Sequence, residues 1–411
     1  MSRFLWTQKQ DTGPSPRFGH AMAYDDDRGV VVLFGGRSGP QVLNDTWEWD
    51  GREWTQMADI GPSPRSRHSL VYDGERKRSV LFGGNSAHGS ELGDTWEWNG
   101  EDWTQIADQG PSVRSEHAMA FDSERKRTVL FGGQSGTAPP AGDTWEWDGE
   151  VWTQQQDTGP SPRHGHTMAY DSSRHRTVLF GGRSQTAPVG DTWEWNGSIW
   201  SQAADFGPNA CVASAMAFNG HGVILYGGIS SPAPDPAPEV FRNTWEWNGR
   251  HWTQRQDIGP GPRWLHGLAF DSKANRLVLF GGLSEFFPNA GSTEARGDTW
   301  ESSDTGGESV PGVSLEDFSV SPARVRSGSV VTAEVTLSGP APRGGVAVSL
   351  QSANADFATF PQSIPVAPNA KSGQVSFLAP SGILFDNGSV LTMKAVLGGV
   401  VRTADFRIDN S

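Results

Sequence analysis

The chain has 411 residues, enough for two or three domains, and its 51 glycines and 27 prolines predict frequent turns and exclude a helical bundle or coiled coil. A net charge of −14 argues against broad attraction to nucleic acid or anionic membranes, so any anion site has to be local. Cys211 is the single cysteine, which excludes an internal disulfide, and no segment has the apolar length of a membrane span.

The N-terminal segment enters patterned sequence at once, so we expect that a signal peptide is absent or has been removed. We therefore expect a cytoplasmic protein if Met1 is the native start, and a secreted or cell-surface protein if a leader has been removed. Residues 4–8 are predicted to form a strand that has no hairpin partner beside it in the sequence. They contain a Trp-Thr-Gln triplet that recurs further along the chain.

Six units built on one template follow this strand. The template has a Gly-Pro step, usually Pro-Arg-x-x-His, an apolar run, Val-Leu-Phe-Gly-Gly, a variable loop, Asp-Thr-Trp-Glu-Trp, an Asn-Gly or Asp-Gly turn, and Trp-Thr-Gln. The Gly-Pro glycines are 48 to 52 residues apart, at Gly13, Gly61, Gly110, Gly159, Gly207 and Gly259. In the first unit we predict strands at residues 21–24, 30–34, 46–49 and 53–56, with a type I′ hairpin turn at Asp50 and Gly51.

The units predict a closed ring of sheets. A four-stranded antiparallel sheet with both indoles of Trp-Glu-Trp on one face cannot bury its faces alone, and six such sheets around an axis make a propeller. The sixth unit reaches Ser302 without a fourth strand, whereas the unpaired strand is the N-terminal one. We therefore expect residues 4–8 to complete the sixth sheet, because a ring leaves no unpaired edge.

The paired glycines after Val-Leu-Phe, the Pro-Arg before the first strand and the tryptophan spacing resemble Kelch repeats over about residues 3–302. Residues 315–411 hold none of the 18 tryptophans and alternate valine with serine and threonine. They are similar to immunoglobulin-like sandwich modules of bacterial extracellular proteins. The expected fold class is therefore all-β, with a six-bladed β-propeller closed by the N-terminal strand at residues 1–302, a linker at 303–314 and an immunoglobulin-like sandwich at 315–411.

Five arginines stand just before the first strands of their units, at Arg17, Arg65, Arg114, Arg163 and Arg263. The Kelch resemblance implies that these positions lie at the mouth of the central channel, where they often contact ligands. A ring of guanidinium groups there would suit a carboxylate or phosphate. The alternative is that each arginine holds its own loop or pairs with a neighbouring acid.

Features that recur from unit to unit are predicted to belong to the sheet framework. In the first strands, a histidine ring N–H can bond to a neighbouring strand or loop. The glutamate of Trp-Glu-Trp could meet an arginine of the neighbouring strand and is not expected to be a catalytic acid. The histidines are His20, His68, His117, His166 and His266, and the glutamates are Glu48, Glu97, Glu146, Glu194, Glu246 and Glu301.

Departures from the template are candidate functional positions. Unit five has Cys211 in place of the arginine, and this thiol is either a small buried hydrophobe or a weak catalytic candidate. Unit six has Trp264 directly after Arg263, and no other tryptophan lies outside the repeat positions. Unit four has His164 two residues before His166, a pair without an identifiable third ligand, so no metal is predicted.

The loops after Gly-Gly are longest in units five and six, at residues 229–242 and 283–297. They carry aromatic and cationic groups, which are typical of a binding hot spot. The Kelch resemblance implies that they emerge on the same face as the Pro-Arg loops, while insertion without function is the alternative. The candidate ligand-binding residues of these loops are Phe241, Arg242, Phe286 and Phe287.

The absence of a catalytic triad, Walker loop, zinc spacing or Rossmann fingerprint favours a binding function. We expect an anionic small molecule, glycan or acidic peptide at the channel mouth, with no cofactor and no nucleic-acid partner, and the oligomeric state is not predicted. Whether the chain is an enzyme stays open. Kelch propellers include enzymes, and a lyase or isomerase acting on an anionic small molecule could use His164 or His166 as its base.

Overall fold

The chain divides into two compact units, Phe4–Asp304 and a second one formed mainly by Thr305–Ser411. All regular elements are β-strands, and nothing in the described part of the chain is a helix of the length and apolarity needed to cross a membrane. The computed structural model describes residues 3–9, 12–57, 60–155, 158–204, 206–230, 238–256, 259–284, 295–305, 315–326, 328–341, 346–352, 363–367, 369–379, 389–397 and 400–409.

The strands of the first unit follow the repeat. After β1 (Arg3–Gln8), the first two repeats form β2 (Ala21–Asp25), β3 (Val30–Ser38), β4 (Gln41–Trp49), β5 (Trp54–Gln56), β6 (Arg65–Ser66), β7 (Ser69–Asp73), β8 (Arg78–Ser86), β9 (Glu91–Trp98) and β10 (Trp103–Ala107). The third and fourth form β11 (Ala118–Asp122), β12 (Arg127–Phe131), β13 (Thr144–Trp147), β14 (Trp152–Gln154), β15 (Thr167–Asp171), β16 (Arg176–Phe180), β17 (Thr192–Trp195) and β18 (Trp200–Ala204). The last two form β19 (Ala215–Phe218), β20 (Val223–Tyr226), β21 (Thr244–Trp247), β22 (Trp252–Gln256), β23 (Gly267–Asp271), β24 (Arg276–Phe280) and β25 (Thr299–Thr305).

These strands match the predicted strands of the repeat, with two corrections. In the first repeat β3 continues past Gly-Gly to Ser38 and β4 begins at Gln41, ahead of the predicted start at residue 46, with a bulge between Phe34 and Gly36. The hairpin turn at Asp50 is not type I′, because Gly51 has a φ of +92° while Asp50 is not left-handed. The Asp50 carboxylate accepts the backbone N–H groups of Arg52 and Glu53 instead, so the turn is built around an aspartate acceptor.

The described strands of this unit form six antiparallel sheets in a closed circle. The first strand of each sheet contacts the first strand of the next, and β23 of the last sheet contacts β2 of the first. As predicted, β1 pairs with β25 and completes the last sheet. Ring closure therefore joins the two ends of the repeat array through main-chain hydrogen bonds.

A tryptophan in each outer strand ties its sheet to the preceding one. The Trp54 indole N–H donates to the Thr299 hydroxyl at 2.8 Å, and Trp103 donates to Thr46 at the same distance. The remaining bonds run from Trp152 to Thr95, Trp200 to Thr144, Trp252 to Thr192 and Trp6 to Thr244. Because Trp6 belongs to β1, the N-terminal strand supplies the last bond of this circle.

The Gly-Gly step lets the backbones of neighbouring sheets meet. Gly35 has a φ of +63°, and a Cβ atom there would lie 2.8 Å from the Arg65 carbonyl of the next sheet. In the third repeat the second glycine, Gly133, donates its N–H to the Arg163 carbonyl at 2.9 Å. Only glycine combines this left-handed conformation with this approach.

The core lies between neighbouring sheets. Met22, Val31 and Trp49 of the first sheet pack with Val278 and Phe280 of the last one. The fully buried Trp49 indole N–H donates to the Glu301 carboxylate at 2.9 Å. The glutamates of Trp-Glu-Trp also pair with arginines as predicted, for example Arg28 with Glu48 at 2.6 Å, and are therefore framework residues.

The second unit contains two sheets around one hydrophobic core. Its strands are β26 (Leu315–Ser321), β27 (Arg324–Arg326), β28 (Val330–Leu337), β29 (Val346–Ser352), β30 (Ser363–Val366), β31 (Ser372–Leu378), β32 (Ser389–Leu397) and β33 (Val400–Asp409). One sheet has the order β26-β28-β31 and the other β27-β33-β32-β29-β30. β25 extends to Thr305, and the rest of the predicted linker, residues 306–314, lies outside the described residues.

Ring closure by β1 can be tested by truncation. Deleting residues 1–9 removes the outer strand of the last sheet and its buried Trp6, so we expect the melting temperature of the first unit to fall by about 10 °C or more. Deleting residues 315–411 should change that temperature much less. Equal melting temperatures of the full chain and the N-terminal truncation, measured by calorimetry, would contradict this role of β1.

Candidate functional site

The first strands of the six sheets surround a central channel. A cavity of about 160 Å³ inside it is lined by residues from all six strands, including His20 and Met22. A second space of about 140 Å³ extends from the same histidines to the residues just before the strands, which include Arg67 and Glu116. The channel thus has a mouth on the side where the Pro-Arg loops enter the strands.

Six main-chain hydrogen bonds encircle this mouth. The N–H of Arg67 donates to the Gly19 carbonyl at 2.7 Å, and each later repeat donates in the same way to the repeat before it. The Gly19 N–H donates to the Leu265 carbonyl at 2.9 Å and closes the circle. We call these residues the mouth ring: Gly19, Arg67, Glu116, Gly165, Ala213 and Leu265.

The mouth ring is conformationally strained. All six members have a φ between +54° and +64°, although four of them are not glycine. A left-handed side-chain-bearing residue costs roughly 1–3 kcal/mol and persists only where the surroundings hold it. Here the hydrogen bonds to both neighbours hold it, so the side chains of Arg67 and Glu116 are kept at the channel mouth.

The five predicted ligand-binding arginines lie inside their own sheets. Arg17 is 1% exposed, and all five of its N–H groups donate to protein acceptors. Nε bonds to the Ser15 carbonyl, Nη1 to the Gly35 carbonyl and the Asp45 carboxylate, and Nη2 to the Ser15 hydroxyl and Asp45. The same pairs recur as Arg65 with Asp94, Arg114 with Asp143, Arg163 with Asp191 and Arg263 with Asp298.

These bonds bear on the predicted ring of guanidinium groups at the mouth. Each guanidinium is neutralised by a bidentate carboxylate of its own sheet, and the pairing lowers the pKa of Asp45 despite its burial. Donors that are already bonded and buried cannot also hold an external anion without breaking those bonds. Ligand contact by Arg17 and its four equivalents stays a prediction, and the bonds in place favour the structural alternative.

A polar cluster at the mouth joins three sheets. The Glu116 carboxylate accepts from Arg67 Nη1 and contacts His164 Nδ1, both at 2.5 Å. Burial raises the pKa of Glu116, but the hydrogen bond from His164 and the charge of Arg67 more than offset it, so the carboxyl pKa lies below its ordinary value. Arg67 is the most open of the three, with 32% of its side chain exposed.

The positions beside the mouth ring differ between repeats one to four and repeats five and six. Arg37 pairs by register with Phe18 and Arg183 with His164, and both arginines are half-buried. The equivalent residues of repeats five and six are Ile229 and Leu283, which are buried and apolar. Together with the mouth ring, these positions hold three arginines and one carboxylate, Glu116. These positions are therefore more polar in repeats one to four than in repeats five and six.

Sequence reasoning missed Arg37, Arg67, Arg183 and Glu116 as site residues. Their signal is that they occupy the variable position before the histidine and the position directly after Gly-Gly, where the six repeats differ. The arginines that recur from repeat to repeat, Arg17 and its equivalents, were predicted instead. The recurring arginines bond within their own sheets, whereas the residues at the mouth differ from repeat to repeat.

The first-strand histidines form a layer below the mouth ring. Each packs edge-on against an aromatic ring of the preceding sheet, as His68 does against Phe34 at 5.5 Å. Among the described residues, neither ring nitrogen of these five histidines has a hydrogen-bond partner of good geometry. Burial and then the nearby arginine lower the pKa values of His20, His68 and His117 to about 3, and those of His166 and His266 also fall.

The other candidate residues lie in separate places. His164 is at the mouth, whereas His166 is in the histidine layer. Cys211 is 1% exposed, and burial raises its pKa to about 12, so it is a thiol and not a nucleophilic thiolate at neutral pH. Trp264 is half-buried and pairs by register with Leu283.

The long loops are only partly described. Phe241 is half-buried and lines a pocket in the fifth sheet, and Arg242 beside it is exposed. Phe286 and Phe287 lie outside the described residues. Within the ranges that the structure describes, no group of three or more histidine, cysteine or acidic side chains is placed to hold a metal ion.

The buried arginine pairs make a stability prediction. Replacing Arg114 with alanine leaves the Asp143 carboxylate uncompensated, so we expect R114A to lower the free energy of unfolding by about 3–5 kcal/mol. The matched control is R52A, at an exposed hairpin position, with an expected change within about 0.5 kcal/mol. Urea denaturation measures both, and a near-neutral R114A would show that the pair is not needed for folding.

The histidine layer makes a pH prediction. These histidines stay neutral in the folded protein, while in the unfolded chain they bind protons below their ordinary pKa of 6.5. Stability is therefore complete above about pH 6.5 and falls toward pH 5, by up to about 1.4 kcal/mol per pH unit for each histidine. H117S, which copies Ser214 of repeat five, should reduce this slope, while H88S at an exposed position should not. A melting temperature that is constant from pH 7 to pH 5 would contradict it.

Residues 101–282 match the family model described as the KLHDC2/KLHL20/DRC7 Kelch-repeats domain. The solved structure of YjhT is similar, with 14% identity, a TM-score of 0.56, and coverage of 70% of this chain and 95% of that one. TolB from Acinetobacter baumannii has 11% identity and a TM-score of 0.40 over 70% of this chain and 64% of its own, too low to carry an argument. No curated protein matches the chain significantly. Residues 101–282 are thus similar to Kelch repeats, and the likeness to YjhT supports a propeller fold.

Proposed function

We propose that the first unit is a six-bladed Kelch propeller, that the second is an immunoglobulin-like sandwich, and that the propeller binds an anionic ligand at its channel mouth. Six described sheets in a closed circle and a two-sheet second unit support the architecture. The Kelch match supports a binding or enzymatic propeller. The observation that carries the choice of site is the non-repeating polar cluster on the mouth ring.

The charge of the ligand follows from the mouth side chains. Arg67 lies on the mouth ring and Arg37 and Arg183 lie beside it, and the one carboxylate of the ring, Glu116, already bonds to Arg67 and His164. An anionic small molecule, an acidic glycan or an acidic peptide could accept hydrogen bonds from these arginines. Partly exposed guanidinium groups bind carboxylate or phosphate through paired N–H donors, and salt weakens this attraction.

A catalytic function at the same place is the second candidate. The 2.5 Å contact of His164 Nδ1 with Glu116 orients the imidazole, so Nε2 can take or give a proton in a lyase or isomerase reaction. His166 is less suited to this role, because its burial strongly favours the neutral ring. Incubation of the protein with the anions that bind, followed by NMR of the mixture, should then show a new product that H164N does not form.

The binding site can be located with probes and variants. Glucuronate, glucose 6-phosphate and a glutamate-rich peptide are screened by thermal shift, and the probe that raises the melting temperature is titrated. We expect R37A and R183A to weaken binding at least tenfold, about 1.4 kcal/mol, with R52A unchanged. Added salt should weaken it as well. Full affinity in both variants would place the anion site elsewhere.

Trp264 provides a separate test of the asymmetric part of the mouth. Its indole is half-buried beside Arg263 and fills none of the recurring tryptophan positions. We expect W264A to change the free energy of unfolding by no more than about 1 kcal/mol while reducing the affinity for the same probe at least tenfold. A large loss of stability would show that Trp264 belongs to the core.

A further inference from the structure

The fifth sheet lacks the buried ion pair of the other five. Cys211 stands where they have arginine, and Asn243 stands where they have the partner aspartate, directly before Thr-Trp-Glu-Trp. Asn209 also replaces the serine, or in repeat six the glycine, two residues before the arginine. Both charges are thus removed together, and the site keeps a net charge of zero.

The backbone around this site keeps the pattern of the other repeats. The Gly182 N–H donates to the Cys211 carbonyl at 2.8 Å, as Gly133 does to Arg163. Val212 and Ile229 exchange two main-chain hydrogen bonds at 2.9 and 3.0 Å, as Ser115 and Gln134 do. The sheet has therefore not closed over the space that a guanidinium occupies elsewhere.

A pocket of about 210 Å³ is present at this position. Its lining includes Cys211 and Asn243, the two substituted residues, and Trp245. In the first sheet the tryptophan equivalent to Trp245 is Trp47, which donates its indole N–H to Asp45, the aspartate of the ion pair. Asn209 and Gln254 also line it and are exposed, so the pocket is open to solvent there. Gly227 also lines the pocket and is the equivalent of Gly35, whose carbonyl accepts a hydrogen bond from Arg17.

The pocket offers amides and carbonyls but no charge. In the first sheet the equivalent positions hold a planar group through its N–H donors, at the Gly35 carbonyl and the Asp45 side chain. Asn243 can accept one N–H and donate another, but it cannot neutralise a buried cation. The exposed Arg242 next to it adds positive charge. The site therefore favours a neutral planar group over a guanidinium.

We propose that this pocket binds a neutral planar group with N–H donors, a ureido group or a primary carboxamide, in the position that an arginine side chain fills in the other five sheets. The site is separate from the channel mouth and does not depend on the anion proposal. Trp245 gives the planar group a flat apolar surface, and the amides of Asn209, Asn243 and Gln254 give it donors and acceptors.

The test compares two probes of the same shape, neutral N-propylurea and cationic N-propylguanidinium, at millimolar concentration and equal ionic strength. Ligand-observed saturation-transfer NMR on the full chain measures their affinities. We expect N-propylurea to bind at least fivefold more tightly. Equal or tighter binding of the cation, or no binding of either probe, would overturn the proposal.

Two variants locate the binding. N243D restores the carboxylate without changing the shape, so the preference should reverse toward N-propylguanidinium. C211R combined with N243D rebuilds the ion pair of the other sheets and fills the pocket, so neither probe should bind. If the double variant still binds N-propylurea as the wild type does, the probe occupies another site. If N243D leaves the preference unchanged, Asn243 does not select the ligand.

Discussion

The first unit depends on the closure of a circle. Every sheet buries its tryptophans against the preceding sheet and donates an indole N–H to that sheet's threonine, so no sheet is complete alone. β1, from the opposite end of the repeat array, closes the circle by supplying Trp6 and the outer strand of the last sheet. The repeat length, the Gly-Gly step and the position of the N terminus all satisfy this one constraint.

Closure also explains why recurring charges are poor candidates for ligand contact. The arginine of each Pro-Arg loop connects that loop, the Gly-Gly carbonyl and the aspartate of the third strand, as Arg17 does with Ser15, Gly35 and Asp45. Such an arginine sets the positions of three segments at once. Residues that can face a ligand are those which the framework leaves to vary, such as Arg37 and Arg183 at the mouth.

The sequence was sufficient to predict the strands, the role of β1 and the pairs of glutamate with arginine, because these depend on local periodicity and on counting strands. The sequence could not decide whether the recurring arginines contact a ligand or pair with a neighbouring acid, because the direction of a long side chain depends on where its partner lies in three dimensions. A usable signal was nevertheless present. Repeat five loses its arginine, at Cys211, and the aspartate before Thr-Trp, at Asn243, in the same unit. The loss of both residues in the same repeat indicates that they pair with each other in the other repeats.

The mouth ring has an electrostatic consequence. Its six N–H groups donate in one direction around the circle, so the peptide dipoles follow one another head to tail. Because the repeats distribute these dipoles evenly, their components in the plane of the ring cancel. Unlike the terminus of a helix, where aligned peptide dipoles add to about half an elementary charge, this circular arrangement has no positive or negative end in that plane. In the plane of the ring, the electric field at the channel entrance is therefore determined by the side chains.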